Sequence, residues 1–253
     1  MFHFQSKTLK ASILLITGWG GGTQLLVPLQ QQLQQQGHAV ELINIFNAFD
    51  AEILHHHVEL ARRFDVIMGW SLGGQLATLL VQQLEQQFSE QKILISLASN
   101  PCFVAQSAWE SAMPEDTFMQ FKQSFQQDAV ATLKRFGFLV CQGTDSAKKD
   151  FVQMQKMIKP QSVSRLEQGL VLLEQLNLTE TLAHYTGQQL HVFAQQDALV
   201  PCEIILNMQQ LLAGKAKIVA IEQVSHGFPC FQSEQTVQII QDFLKQPVQA
   251  VSE

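Results

Sequence analysis

The sequence has few cysteines, no long apolar run and no excess of positive charge. Its four cysteines, Cys102, Cys141, Cys202 and Cys230, are scattered, with no C-x-x-C pair and no metal-ligand spacing. That argues against a zinc site or a disulfide framework and predicts reduced, mostly packed thiols in a cytoplasmic protein. The apolar run 13–16 follows Lys7 and Lys10, but it is too short for a signal h-region and ends in glycines. Nothing approaches bilayer-spanning length, so no membrane partner is expected. Sixteen basic residues against 22 acidic ones, a net charge of -6, give no electrostatic reason to expect nucleic acid or an anionic membrane. What is abundant is apolar: 46% hydrophobic with only 15% charged argues for an ordered core. At 253 residues, that core is one large α/β domain or a domain with an insertion.

The chain centres on Gly69-Trp70-Ser71-Leu72-Gly73. A short β-rich run, 64–68, precedes it, and apolar residues at helical spacing, 74–84, follow it. Strand, tight turn, helix is the setting in which G-x-S-x-G forms a nucleophile elbow, with the Ser71 hydroxyl raised above the sheet. Upstream, the strand Ser12–Ile16 leads into Thr17-Gly18-Trp19-Gly20-Gly21-Gly22. This loop has neither G-x-G-x-x-G spacing nor a Lys-Ser/Thr ending, so it is not read as a phosphate cradle. It is read as facing the elbow, with the Trp19 and Leu72 amides as the two donors of an oxyanion hole.

A helix is expected over 25–36, with Gly37 past its end, then a strand over 39–43 and, after the elbow helix, another over 92–98. The αβ rhythm then breaks. From 101 to about 181 only amphipathic helices are predicted, over 115–127, 128–140, 146–158 and 163–176, with N-caps at Asp128 and Ser146. The expected architecture is a mostly parallel sheet flanked by helices, an α/β-hydrolase core of 1–100 and 182–253. Residues 101–181 form an all-helical lid inserted over the sheet's carboxyl edge, where ligands bind. Strands resume over 189–193 and 217–221, and a closing helix is expected over 234–245.

Asp197 and His226 each follow one of these last strands. With Ser71 they give the order Ser…Asp…His of an α/β-hydrolase triad. A serine hydroxyl needs an adjacent base, His226, and Asp197 would hold the ring's tautomer and stabilise the imidazolium. Two-step ester hydrolysis through an acyl-enzyme on Ser71 follows, with no metal and no organic cofactor. His55-His56-His57 is read as a solvated helical stretch, since consecutive helical residues point in different directions. His38 and His184 have no ligand-spaced partner, and His191 lies within a strand, packed.

These residues resemble one family, the pimeloyl-acyl-carrier-protein methyl ester carboxylesterases of biotin synthesis. The shared elements within α/β-hydrolases are Gly18-Trp19-Gly20, Gly69-Trp70-Ser71-Leu72-Gly73-Gly74, Asp197-Ala198-Leu199-Val200-Pro201 and Ser225-His226. The discriminating ones are Ala98-Ser99-Asn100-Pro101-Cys102-Phe103 with Trp109, Arg135-Phe136, Gly143-Thr144-Asp145-Ser146-Ala147 and Gly169-Leu170-Val171-Leu172-Leu173. The resemblance implies removal of the methyl group from the methyl ester of a pimeloyl chain carried on acyl carrier protein through phosphopantetheine. Thr17 stands where the family commonly has histidine, and Ala131 and Val152 stand where it has arginines on the lid.

The lid has its own signal. Between Lys134 and Lys159, six basic residues (Lys134, Arg135, Lys148, Lys149, Lys156, Lys159) face only Asp145 and Asp150. That local excess suits an acidic carrier domain and a phosphopantetheine phosphate, with Lys134, Arg135, Lys148, Lys149 and Lys156 as docking residues. Trp19, Trp70, Leu72, Phe103, Phe138 and Val200 are the expected lining of an acyl pocket between core and lid. A monomer is expected. The alternatives are a broad-specificity short-chain carboxylesterase or thioesterase, or a non-catalytic binding protein on the same fold.

Overall fold

The computed structural model describes residues 10–245, so Lys7 lies outside the described part. Six strands form one sheet in the order β2-β1-β3-β4-β5-β6: β1 (Ser12–Ile16), β2 (Ala39–Ile43), β3 (Val66–Trp70), β4 (Ile93–Leu97), β5 (Gln189–Ala194) and β6 (Lys217–Ile221). Every neighbouring pair is parallel. The four inner strands are buried almost throughout, whereas edge strands β2 and β6 are half exposed. This is why the inner strands read as continuous apolar runs and the edges mix in Glu41 and Lys217.

The connecting helices fall into two packed groups. Helix α1 (Val27–Gln35) lies against α10 (Phe228–Phe231) and the closing α11 (Ser233–Leu244). Helices α2 (Ala51–Ala61), α3 (Leu72–Phe88), α8 (Thr179–His184) and α9 (Ile204–Leu212) pack in series. Among the described residues no helix is long and apolar enough to cross a membrane.

Between β4 and β5 the chain runs through α4 (Glu115–Gln127), α5 (Ala129–Cys141), α6 (Ala147–Met157), α7 (Val163–Gln175) and α8. Helices α4, α5 and α6 pack in sequence. Helix α8 crosses residue 181 and packs on α3 and α9. Asp128 caps α5 through the Ala131 amide at 2.9 Å. Ser146 makes no capping bond to α6, contrary to the sequence expectation. Its hydroxyl instead donates to the Asp150 carboxylate at 2.5 Å, because a buried carboxylate needs a donor more than a surface helix end does.

All four cysteines are free, and Cys102, Cys141 and Cys230 are buried. Burial pushes the Cys141 thiol up to about 12 and the other two upward, so these are packed, unreactive thiols.

Candidate active site

The backbone around Ser71 leaves little choice of residue. Strand β3 pairs with β4 as far as Trp70↔Leu97, and the Ser71 amide adds one more bond to the Leu97 carbonyl at 2.9 Å. The chain then reverses within one residue: Ser71 has φ 56° and ψ -123°, a conformation that costs a side-chain-bearing residue energy. Helix α3 begins at once, and the Gly74 amide bonds to the Ser71 carbonyl at 2.9 Å. The turn closes only because its flanks are bare. A Cβ on Gly69 would lie 2.0 Å from the Gly73 carbonyl oxygen, and one on Gly73 would lie 2.3 Å from that of Ile16.

The glycine-rich loop after β1 lies against this elbow. A Cβ on Gly18 would be 3.1 Å from that of Ser71. Trp19 is buried, with its indole N–H donated to the Leu166 carbonyl of α7 at 2.8 Å and its ring edge-on to Phe136 at 4.8 Å. Among the described residues, neither the Trp19 amide nor that of Leu72, the first residue of α3, donates to a backbone carbonyl of another element.

The loops after β5 and β6 meet beside the elbow. His226 Nδ1 is 2.8 Å from Asp197 Oδ2, and both side chains are 1% exposed. Asp197 Oδ1 accepts from the Leu199 and Val200 amides at 2.8 and 2.9 Å, which fixes the carboxylate. A carboxylate so placed holds the ring proton on Nδ1 and leaves Nε2 as a base. That Nε2 is buried and has no hydrogen-bond partner among the described residues. The Trp70 ring lies 5.6 Å from the imidazole, tying the histidine loop to the residue before Ser71.

The inserted helices touch each of these loops. The Val140 carbonyl of α5 accepts from the Gly227 amide at 2.9 Å, Gly143 lies against the Gln196 carbonyl, and α7 receives the Trp19 indole. These contacts have no pattern in the sequence.

The expected pocket residues divide. Trp19, Trp70, Leu72, Phe103 and Val200 are buried. Phe138 is 44% exposed and packs edge-on against Phe151, so it faces outward from α5 and does not line an internal pocket. None of the six lines the cleft of about 300 Å³ found between the segment after β2 and α7.

Lys134, Arg135, Lys148, Lys149 and Lys156 are all exposed on α5 and α6 and form no ion pair among the described residues. Arg135 donates to the Thr132 hydroxyl at 3.2 Å. Apolar residues sit among them: Val130, Lys134 and Phe138 follow one another at four-residue steps on α5, as do Lys148, Val152 and Lys156 on α6. The four-residue step was the signal available in the sequence for this mixed face.

The remaining histidines have structural partners. His191 is fully buried between Ser96 Oγ (2.7 Å) and Gln189 Oε1 (3.1 Å), and desolvation pushes its pKa down to about 3. His38 is buried between the Ala11 amide and the Gln241 side chain. His55, His56 and His57 spread over α2, and no metal-binding group of three or more His, Cys, Asp or Glu occurs among the described residues.

No protein-family model matches the chain. It is 28% identical to the pimeloyl-[acyl-carrier protein] methyl ester esterase of Aliivibrio fischeri (strain MJ11), over 96% of this chain and 97% of that protein. Among solved structures, the bromoperoxidase of Bacillus anthracis superposes with a TM-score of 0.78 at 14% identity, covering 94% of this chain and 93% of that one. The esterase EaEST of Exiguobacterium antarcticum gives 0.75 at 17% identity, covering 95% and 94%. The chain thus has the α/β-hydrolase fold and is similar, along most of its length, to the pimeloyl-[acyl-carrier protein] methyl ester esterases.

Proposed function

We propose that the protein is a serine carboxylesterase that hydrolyses the methyl ester of a pimeloyl chain held on acyl carrier protein. One observation carries the chemistry: a buried imidazole held by Asp197, its Nε2 unpartnered, on a loop tied to Trp70, the residue before the strained elbow serine. Ser71 Oγ attacks the ester carbonyl while His226 Nε2 takes its proton. The tetrahedral oxyanion is received by the Trp19 and Leu72 amides, and loss of one such donor typically costs about 10²–10³-fold in rate. The protonated His226 then gives that proton to the departing methoxide oxygen as its bond to the carbonyl carbon breaks, releasing methanol and leaving an acyl-enzyme on Ser71. Water, deprotonated by the same nitrogen, attacks that ester and releases the free carboxylate and the Ser71 hydroxyl. Every proton is returned, so the cycle needs no cofactor.

Two supports point to the carrier-linked substrate. The similar proteins of Aliivibrio bear that substrate in their names. The basic and apolar face of α5 and α6 has the character that an acidic carrier domain would meet. The deciding experiment is mass spectrometry of carrier-bound pimeloyl methyl ester before and after exposure to the protein. Loss of one CH₂ with the thioester intact is expected, and absent in Ser71→Ala. Cleavage at the thioester would make the protein a thioesterase. No change there, and none with p-nitrophenyl esters, would make it a binding protein.

A further inference from the structure

A cleft lies beside Gly169 of α7, the residue against which Trp19 packs. Its volume is about 300 Å³, and its walls include Ile45, Phe46, His57, Arg165, Gln168 and Leu172. Ser71, Leu72, Asp197 and His226 take no part in it. Gly169 of α7 forms part of its wall, and a Cβ there would lie 2.9 Å from Ile45 Cδ1 and 2.4 Å from Trp19 Cδ1. Bare backbone is therefore all that fits between this cleft and the tryptophan of the glycine-rich loop.

The chemistry of the walls is uneven. Ile45, Phe46 and Leu172 are buried and apolar. The His57 ring stacks on Phe46 with centroids 3.7 Å apart and planes 8° apart, making a flat face. Its Nδ1 is 2.7 Å from the Ile53 carbonyl, so Nδ1 carries the proton, and burial lowers its affinity for a second. Arg165, in the first turn of α7, is the one charged residue among the lining groups, and its guanidinium has no acidic partner among the described residues.

We propose that this cleft is a second binding site, for a small amphipathic monocarboxylate whose charge meets Arg165 and whose body lies against Ile45, Phe46 and Leu172. A guanidinium fork matches a carboxylate in shape, and one unpaired cation suits one negative charge. The lining sets apolar side chains among convergent polar ones, Asn44, Asn47, His57 and Gln168, a mixture that suits a ligand with an apolar body and a polar head. The cleft also opens beyond the carboxyl end of β2, the edge at which open α/β sheets gather ligands. The site does not depend on the ester-hydrolysis reading, although an occupant would bear on Trp19 through Gly169.

The test is an amide chemical-shift titration of the whole protein with hexanoate, and with hexanamide as its neutral counterpart. Hexanoate is expected to move the signals of 44–47 and 165–172, with hexanamide binding at least about tenfold more weakly. Arg165→Gln should weaken hexanoate by about tenfold or more. Gln168→Trp, at an exposed position, should fill the cleft mouth and abolish the shifts. The site is refuted if hexanoate moves only signals around Ser71 and His226, or moves none. It is also refuted if hexanamide binds equally well, or if either variant binds hexanoate like the parent.

Discussion

The indole N–H of Trp70 donates to the backbone carbonyl of His226 at 3.0 Å, across 156 residues of sequence. The residue before the proposed nucleophile therefore fixes the backbone of the proposed base. Trp70→Phe keeps most of the ring volume but orphans a buried carbonyl, which should lower stability by about 1–3 kcal/mol in a denaturant melt. Release of the His226 loop should also lower kcat for p-nitrophenyl acetate by about 10–100-fold with little change in KM. An unchanged kcat would reduce the indole to a packing group.

Ser71 holds a conformation better suited to glycine. Ser71→Ala removes the hydroxyl but retains the Cβ, and so the strain. Ser71→Gly removes both. Neither should turn over esters, yet the glycine variant should be more stable than the alanine variant by about 1 kcal/mol or more. In an ordinary helix or strand the order would be the reverse. Thermal denaturation of the pair reads the difference directly.

Much of this frame was legible because local signals agreed with burial. Strands Ser12–Ile16, Ala39–Ile43 and Lys217–Ile221 fall where the apolar runs place them. The apolar run 64–68 predicts the elbow strand two residues early, since it lies at Val66–Trp70. Gly69 still pairs with both Ile16 and Ser96, so the turn is compressed into Ser71 alone. At the other end, Asp65 is drawn out of the strand, its carboxylate accepting from the Ser12 amide and hydroxyl at 2.8 and 2.7 Å. The helix expected over 25–36 starts as a 3-10 turn, Thr23–Leu26, before α1 takes over at Val27. What the sequence withheld were relations between distant segments: the Trp70–His226 bond and the cleft beside Arg165. Neither has a local periodicity, because each is set by how two separately folded surfaces meet.

Gly143 marks one such meeting. Its φ is 105°, and a Cβ there would lie 2.3 Å from the carbonyl oxygen of Gln196, the residue before Asp197. Gly214 has φ 84° with nothing within 4 Å. Alanine at either position pays a similar left-handed strain of about 1–2 kcal/mol. Only Gly143→Ala should displace the Asp197 loop, so kcat should fall by at least about tenfold in that variant alone. Equal kinetics in the two variants would mean that the inserted helices do not hold the acid loop in place.

His191 makes the fold sensitive to acid. Its folded pKa, pushed down to about 3 by burial, lies below its unfolded value, so the unfolded chain binds the proton more readily. The stability it confers is complete above the unfolded pKa, near 6.5, and is lost as pH falls from there toward the folded value. The loss approaches about 1.4 kcal/mol per pH unit from this one group. His191→Gln, which cannot charge, should flatten the dependence of unfolding free energy on pH between 6 and 4, measured by urea titration. His38 and His57 are shifted in the same direction and should leave a weaker residual slope.

Carrier docking makes a different demand, since it must affect one substrate and spare another. Arg135 and Lys148 lie on the exposed face of α5 and α6 without acidic partners among the described residues. Reversing both, as Arg135→Glu with Lys148→Glu, turns attraction for an acidic carrier into repulsion. KM for the carrier-linked ester should rise by about tenfold or more at low salt. The gap between variant and parent should narrow as ionic strength shortens the screening length to about 8 Å near 0.15 M. Phe138→Ser, on the same face, should raise that KM with little salt dependence, because its share is apolar. Turnover of a small free ester should not change in either case. If both substrates suffer alike, the face is part of the fold's support and the carrier docks elsewhere.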